Sequence, residues 1–348
     1  MKKIKLIVAL SALLLCCQIN VFGQTTIVAK YGQLSVKGNY IMSQYGDTVQ
    51  LRGMSLFWSQ WMAQYYNADC IKWLRDDWKC TVVRAAMGVD MGGYASSPER
   101  EKAKVIAVVD ACIDLGIYVI IDYHSHEAHK NPEQAQRFFA EMAELYGKYP
   151  NVLYEIYNEP LKDDLSWSKD LKPYSEGVIK AIREIDPDNI IIAGTRQWSQ
   201  LVYEASQDKL SDKNTVYTLH FYAATHRKWL RDEAQKAMAN GICLFVSEYG
   251  TCDASGNGKF DPPHTQEWYD WMDKYKISYA NWSVADKEET ASIVKPGAAG
   301  TGGWTEDQLT ESGKLVKADL VKKNTPIFAS LKAKGVKAPK EPKPKKKK

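Results

Sequence analysis

Two glutamates stand where apolar segments of the sequence end, and their chemistry is that needed to break a glycosidic bond. Glu159 follows an apolar segment that reaches Asn158, and Glu248 follows the segment Leu244–Ser247. Cleavage of a glycosidic bond requires one carboxyl group that protonates the leaving oxygen and a second carboxylate that acts at the anomeric carbon. Either glutamate alone has the ordinary interpretation of a loop acid, but the two together favour a catalytic pair.

Further polar and aromatic side chains occur at the ends of similar segments, namely Arg84, His124, Asn158, His220, Tyr222 and Trp282. If these segments are parallel strands of one barrel, their carboxyl ends lie at the mouth where such barrels hold their chemistry. Core packing alone would not place these polar groups there. Glu155 has the same strand parity as Glu159 but lies roughly 13 Å deeper, so we expect it in the barrel interior, outside the site.

The elements that must position these side chains are eight apolar segments separated by amphipathic stretches: Val49–Gly53, Thr81–Ala86, Tyr118–Asp122, Leu153–Asn158, Ile190–Gly194, Val216–Leu219, Leu244–Ser247 and Ser278–Trp282. Several are continuous β-branched runs, which are typical of parallel strands buried on both faces. Helix starts with proline follow Ser97, Asn131 and Asp261. The alternation predicts an α/β protein with a single (β/α)8 TIM barrel. A doubly wound sheet is the alternative, which the lack of a Gly-rich dinucleotide turn disfavours.

The ends of the chain differ from this body. Residues 1–23 combine Lys2, Lys3 and Lys5 with an apolar stretch too short to span a bilayer, which predicts a signal peptide cleaved near Gly23. Residues 332–348 hold nine lysines and one glutamate, which predicts a Lys/Pro-rich disordered tail. The catalytic domain is expected over residues 24–331, with a short β-hairpin (34–36 and 40–42) at its start. The chain is therefore expected to be secreted, periplasmic or associated with the cell surface.

Net charge excludes one class of partner. Removing the +3 of the leader and the +8 of the tail from the formal total of +4 leaves −7 for the body. A nucleic-acid enzyme requires a basic surface on its folded part, so no nucleic-acid partner is expected. No membrane span is expected either, and the barrel is expected to be a monomer.

Metals and cofactors are not expected. The five cysteines outside the leader are odd in number and have no zinc-site spacing, so we interpret them as mostly buried small apolar residues. Asp253, Ser255, Asn257 and Gly258 match the start of a calcium-binding EF-hand loop, but its twelfth position is His264 rather than glutamate. A loop that contacts sugar is the favoured interpretation.

Ordered sequence blocks resemble glycoside hydrolase family 5, in its bacterial endo-β-1,4-glucanase (cellulase) branch. The resemblance extends from about Gly32 to about Ser312 and rests on residues 72–78, 83–87, 154–160, 220–223, 246–251, 253–258, 287–289 and 301–304. A lone Asn-Glu-Pro, as at Asn158, is a weak motif, but the ordered set is specific. Tyr123 stands where many relatives have Trp, and Phe57 stands where some relatives have His, so affinity on the glycone side and the pH optimum are not carried over.

The resemblance implies hydrolysis of internal β-1,4-glucosidic bonds by a retaining double displacement, with Glu159 as acid/base and Glu248 as nucleophile. It also implies a set of substrate-binding residues: Trp61, Arg84, His124, Asn158, Trp198, His220, Tyr222, Ala254, Ser255, Trp282, Lys287 and Glu289. In those roles Glu248 must be ionised, which Arg84 and Tyr222 favour, and Glu159 must be protonated, which burial and the charge of Glu248 favour.

Two classes of function remain open, an endo-acting glycoside hydrolase and a catalytically silent carbohydrate-binding barrel. Within the enzyme class, a mannanase or xyloglucanase differs from a β-glucanase only in the shape of its loops, which sequence spacing does not resolve. A catalytically silent carbohydrate-binding barrel keeps the aromatic residues and loses the acids, so the presence of Glu159 and Glu248 disfavours it.

Overall fold

A computed structural model describes residues 26–161 and 164–333. The predicted leader lies outside the described residues, as does the predicted tail from residue 334 onward. The last described helix ends at Ala333, two residues beyond the predicted end of the catalytic domain.

The described residues form twelve strands: β1 Ser35–Lys37, β2 Tyr40–Met42, β3 Thr48–Val49, β4 Arg52–Leu56, β5 Val82–Gly88, β6 Tyr118–His124, β7 Val152–Glu155, β8 Ile191–Ala193, β9 Thr215–Thr218, β10 Phe221–Tyr222, β11 Leu244–Gly250 and β12 Ser278–Val284. Strands β1 to β3 form a small antiparallel sheet, so the predicted hairpin gains a third strand. Val49, predicted to open the first barrel strand, belongs to that sheet, and the barrel strand begins at Arg52.

The remaining strands form the predicted barrel. Strands β4 to β9 pair in parallel in chain order, β11 pairs with β9 and β12, and β12 returns to β4, which closes the sheet. Strands β9 and β10 both pair with β11, one after the other, and together they occupy one place in the barrel. The closed barrel therefore has eight strand positions. The three strands β5, β6 and β11 are buried at every residue, as expected for continuous apolar runs in a parallel sheet.

Ten α-helices accompany these strands in the described part: α1 Ile27–Tyr31, α2 Ala68–Asp76, α3 Pro98–Leu115, α4 Pro132–Tyr146, α5 Lys172–Arg183, α6 Arg196–Ser199, α7 Val202–Gln207, α8 Lys228–Ala239, α9 Pro262–Tyr275 and α10 Glu311–Ala333. Helices α3, α4 and α9 begin at the predicted prolines, where the missing N–H costs no hydrogen bond. Asp261 caps α9 by accepting from the amide of His264 at 3.3 Å.

The five cysteines of the described chain are all free and buried, as predicted. Burial raises the pKa of each thiol, so the nucleophilic thiolate is suppressed in the folded protein. Among the residues described, no helix combines the length and the apolar character that crossing a membrane requires.

Trp268 on α9 fixes the outer layer behind the sixth barrel position. Its ring stacks on Phe221 at a centroid distance of 3.8 Å, and its indole N–H donates to the carbonyl of His226 at 2.7 Å. We predict that Trp268→Ala lowers the free energy of unfolding by about 3–5 kcal/mol, because it empties a fully buried site.

Trp229 on the neighbouring helix α8 is the matched control, since half of its surface is exposed. Trp229→Ala should change the free energy of unfolding by no more than about 0.5 kcal/mol. Denaturant unfolding of both variants measures the difference, and equal losses would contradict this account of the packing.

Candidate active site

The two predicted glutamates meet at the mouth of the barrel. Oxygens of Glu159 and Glu248 and a ring nitrogen of His220 all lie within 4.8 Å of one another. Glu159 follows the end of β7 and Glu248 lies in β11, so the barrel brings together two residues far apart in sequence. Both are largely buried, with 9% and 4% of their surface exposed.

Arg84 lies beneath this pair, in the third position of β5 rather than at the strand end where the sequence placed it. Its guanidinium is fully buried and contacts three carboxylates: Glu248 at 3.0 Å, Glu155 at 2.7 Å and Asp122 at 2.9 Å. It also donates to the side-chain oxygen of Asn158 at 2.7 Å. The amide nitrogen of Asn158 is buried and has no hydrogen-bond partner among the described residues, which leaves it available to a ligand.

Glu248 is held at both oxygens. Arg84 Nη1 donates to Oε2 at 3.0 Å, and the Tyr222 hydroxyl donates to Oε1 at 2.9 Å. Burial and the negative charge of Glu159 nevertheless raise the pKa of Glu248, against the opposing effects of His220 and Arg84. The carboxyl group of Glu248 is therefore held in one orientation, while its surroundings oppose its ionisation.

Glu159 has an imidazole near each oxygen. His220 Nδ1 lies 2.9 Å from Oε1, and His126 Nε2 lies 3.5 Å from Oε2. Burial raises the pKa of Glu159, but the hydrogen bonds and charges of the two histidines outweigh it and lower that pKa to about 2. The two histidines therefore favour the carboxylate form of Glu159.

His220 carries the corresponding positive charge. Burial lowers its pKa, but hydrogen bonds to Glu155 and Glu159 raise it to about 9. Its other nitrogen lies 3.0 Å from the Ser247 hydroxyl, which donates to Glu155 Oε1 at 2.6 Å. Glu155 thus lies in the buried layer beneath the site, as its parity predicted, and orients both His220 and Arg84.

These two directions oppose the sequence-based expectation, in which Glu159 holds the proton and Glu248 is ionised. The cause is a shortage of positive charge. Arg84 contacts three carboxylates, those of Asp122, Glu155 and Glu248, while the fourth acid, Glu159, faces His220. Protons on His220 and on one glutamate reduce the excess negative charge. Because the two glutamates interact closely, their proton belongs to the pair and can shift when the mouth is filled.

One side of the glutamate pair opens into a cavity of about 230 Å³. Its lining brings together the predicted residues Trp61, His124, Tyr222, Ala254, Ser255, Trp282, Lys287 and Glu289, together with Phe57, Trp58 and His126. His124 Nδ1 lies 2.7 Å from Asp122 Oδ2. The His124 ring stacks on the Trp282 ring, with the ring planes 5° apart. Flat aromatic faces beside polar groups suit the apolar and hydroxyl faces of a sugar.

A second cavity of about 370 Å³ lies on the other side of Glu159 and is lined by Trp198, Gln200, His226 and Tyr222. Trp198 is 46% exposed. It lies in the short element α6, which is in fact a turn, because Gln197, Trp198 and Ser199 all have positive φ. Its amide donates to the Pro160 carbonyl at 3.1 Å, directly after Glu159. Three consecutive left-handed residues are strained, and the turn sets this ring beside the catalytic pair.

The loop that resembles the start of an EF-hand supplies hydrogen-bond donors to the carboxylate of its own Asp253. Asp253 accepts from the Ser255 amide and the Lys259 amide, each at 2.9 Å. Ser255 and Ala254 line the first cavity, which agrees with the interpretation of a sugar-contacting loop. At the mouth, Glu159, His220 and Glu248 are spaced so that they could approach one metal ion, but their polar atoms already bond Arg84, Tyr222, Ser247 and one another.

Sequence reasoning missed several residues of the site: Trp58, Asp122, His126, Ser247, Gln200 and His226. For Asp122 a signal existed, because it shares the strand parity of His124 in β6 and lies on the same side of that strand. His126 lies beyond the end of the strand, so strand parity does not report its position. Ser247 and Gln200 carry no such signal, since their importance depends on contacts with distant residues.

A closed (β/α)8 barrel with two neighbouring carboxylates at its mouth, flanked by aromatic cavities, defines a glycoside hydrolase site. The sequence profile of cellulase (glycosyl hydrolase family 5) matches residues 42–288. The chain belongs to this family.

Individual relatives agree. The chain is similar to endoglucanase Z of Dickeya dadantii (51% identity, 82% of this chain, 65% of the relative) and to an endoglucanase of Clostridium saccharobutylicum (47% identity, 84% and 66%). It thus spans slightly less than two thirds of these relatives. Among solved structures it resembles a protein of Cytophaga hutchinsonii (66% identity, TM-score 0.87, covering 88% of this chain and 99% of that one). It also resembles the catalytic domain of Thermobifida fusca endoglucanase Cel5A (34%, 0.81, 85% and 99%).

Glu101 on α3 anchors the loop that carries Trp58 and Trp61. It accepts from the Ser59 hydroxyl at 2.5 Å and from Lys104 at 2.8 Å, and Lys104 donates to the Ser59 carbonyl at 2.9 Å. Burial raises the pKa of Glu101, but these donors lower it below its ordinary value. A carboxylate with a lowered pKa stabilises the fold above its unfolded pKa of about 4.3 and loses that contribution as pH falls through the folded value.

We predict that Glu101→Gln lowers the free energy of unfolding at pH 7 by about 1–3 kcal/mol, and that the gap to the unmodified protein closes towards pH 3. Denaturant unfolding over this pH range measures it. Glu99→Gln on the same helix is the control, because that side chain is 84% exposed and should change little at any pH. A gap for Glu101→Gln that does not vary with pH would contradict the electrostatic account.

Proposed function

We propose that the chain is a retaining endo-β-1,4-glucanase in which Glu248 is the nucleophile and Glu159 the acid/base. The observation that carries the proposal is the approach of the two carboxyl groups, whose oxygens lie within 4.8 Å. Retaining glycosidases hold their carboxyl groups about 5–5.5 Å apart, whereas inverting enzymes leave about 6.5–9.5 Å for a water molecule.

In the first step a Glu248 oxygen attacks the anomeric carbon, and the bond from that carbon to the glycosidic oxygen breaks. Glu159 gives its proton to the departing oxygen, so the aglycone leaves as an alcohol and a glycosyl ester remains on Glu248. Arg84 and Tyr222 keep the attacking carboxylate in position through one hydrogen bond to each oxygen. The amide N–H of Asn158, which has no partner among the described residues, supplies a donor for a sugar hydroxyl.

In the second step Glu159 removes a proton from water, and the resulting hydroxide attacks the anomeric carbon as the ester bond to Glu248 breaks. The ester has no negative charge, so the repulsion that favoured a protonated Glu159 is gone and the group acts as a base. His220 at 2.9 Å then stabilises the carboxylate.

Substrate binding must first move the shared proton to Glu159. A sugar that fills the mouth displaces water from Glu159, which raises the pKa of that carboxyl group. Arg84 and Tyr222 retain their hydrogen bonds to Glu248 and favour its anion at the same time. The productive ionisation, with the proton on Glu159, therefore belongs to the sugar-bound enzyme.

Action on internal bonds is supported by the cavities on both sides of the catalytic pair. Trp61 and Trp282 line one side, and Trp198 lines the other. A polysaccharide bound across both cavities presents a bond within the chain to Glu159. The relatives named endoglucanase support β-1,4-glucan as the substrate. A reducing-end assay on carboxymethyl cellulose, mixed-linkage glucan, xyloglucan and mannan, with product sizing, tests the choice.

We also propose that the chain is exported, on the basis of residues 1–23, whose basic start and short apolar stretch are typical of a signal peptide. A polymeric substrate cannot enter a cell, which makes export consistent with the proposed activity. Fractionation of expressing cells, with N-terminal sequencing of the exported protein, tests this.

We predict that hydrolysis retains the anomeric configuration, because the carboxyl groups are too close to hold an attacking water between sugar and base. Proton NMR of the first product formed from a β-glucan should show the β-anomer before mutarotation. An α-anomer that appears first would reject both the mechanism and the role of Glu248.

We predict different losses for the two glutamates. Glu248→Ala should abolish turnover on every substrate, since no glycosyl ester can form. Glu159→Ala should retain activity on an aryl glycoside whose leaving group needs little protonation, with azide accelerating the second step. Steady-state kinetics with dinitrophenyl cellobioside and carboxymethyl cellulose separate the two variants.

Glu155→Gln is the comparison for both variants, since this buried acid contacts Arg84 and not the cleft. It should lower stability more than it lowers kcat. If it lowered kcat as much as Glu159→Gln in a folded protein, the assignment of Glu159 as acid/base would be wrong.

A further inference from the structure

His126 is a histidine of the cleft that the proposed double displacement does not use. It lies two residues beyond the end of β6, its side chain is 26% exposed, and it lines the same cavity as Glu159 and Glu248. Its Nε2 lies 3.5 Å from Glu159 Oε2. It is therefore the second imidazole at the acid/base, and it approaches from the side of the cleft.

The two oxygens of Glu159 are not equivalent. Oε1 faces His220, which is 1% exposed and continues through Ser247 into the buried layer. Oε2 faces His126, whose side chain lines the cavity together with Glu159, and we take Oε2 as the oxygen that transfers the proton to a glycosidic oxygen in the cleft. His126 thus stands beside the oxygen from which the proton is transferred.

The position of His126 is fixed by contacts on several elements. Its amide lies 3.4 Å from Asp90 Oδ2, its carbonyl accepts from the Tyr157 hydroxyl at 3.0 Å, and its ring meets Trp58 edge to face at 5.4 Å. Its ring is therefore held beside Glu159, with Nε2 at the outer limit of hydrogen-bond distance from Oε2. Catalytic hydrogen bonds are often long in an empty site and shorten in the complex.

We propose that His126 is a positioning residue that acts through Glu159, by donating from Nε2 to Oε2 as negative charge develops there during proton transfer. This role rests on the proposed function of Glu159 as acid/base. The carboxylate that forms when the proton leaves is the species that accepts the hydrogen bond, so the contact is stronger in the transition state than in the ground state. Its contribution is largest for leaving groups that need full protonation.

The test is the dependence of kcat/KM on the acidity of the leaving group. A series of aryl β-cellobiosides, from dinitrophenyl to unsubstituted phenyl, is compared for the unmodified protein, His126→Leu and His126→Gln. His126→Leu should lose about tenfold in kcat/KM on phenyl cellobioside and almost nothing on the dinitrophenyl substrate. His126→Gln should recover most of the loss, because its amide N–H can donate to Oε2.

His264→Gln is the matched control. His264 lies at the start of α9 and bonds Asp261 and Arg227, outside both cavities of the mouth, so its replacement should leave the leaving-group dependence unchanged. The inhibition constant of cellobiose should also be unchanged in the His126 variants. Should His126→Leu fail to fold, His126→Ala with and without added imidazole takes its place.

Two results would overturn the proposal. An equal loss on all leaving groups, or a weaker inhibition by cellobiose, would make His126 a sugar-contacting or merely structural residue. Failure of the proposed function itself looks different, because the unmodified protein would then not hydrolyse the aryl cellobiosides with retention at all.

Discussion

The buried guanidinium of Arg84 joins parts of the barrel that the sequence keeps far apart. From β5 it contacts Asp122 on β6, Glu155 on β7 and Glu248 on β11, so it connects four barrel strands across the interior. Loss of one partner of a buried ion pair typically costs about 3–5 kcal/mol, because the remaining charge is left uncompensated. The same contacts orient Glu248 and the side-chain oxygen of Asn158, so stability and the geometry of the mouth depend on one group.

The charge imbalance around Arg84 also controls the histidines. Four carboxylates attract protons to the imidazoles, and His220 is held between Glu155 and Glu159 with a raised pKa of about 9. His124, which also contacts Asp122, is affected differently: burial and the positive charge of Arg84 lower its pKa. The pKa of His220 is raised because hydrogen bonds to acids outweigh its burial, whereas burial dominates at His124 and lowers its pKa.

Much of the fold could be predicted from the sequence because parallel strands buried on both faces leave continuous apolar runs, as in β6, and because prolines mark helix starts, as at Pro98 and Pro262. The strand ends located Glu159, Glu248 and His220 correctly. Proton positions could not be predicted, since they depend on which side chains of other strands meet each carboxyl group. His126 and Ser247 decide the state of Glu159 and His220, and no local pattern reports those contacts.

The five buried thiols are unreactive in the folded protein and become reactive when the chain unfolds. In the folded barrel, Cys70, Cys80, Cys112, Cys243 and Cys252 are inaccessible and protonated. Once the chain opens, each thiol regains an ordinary pKa and can be oxidised or form disulfides with the others. In an oxidising medium these reactions compete with refolding. Where they are faster than refolding, the lifetime of the protein is set by the rate of opening, and its durability is kinetic rather than an equilibrium property.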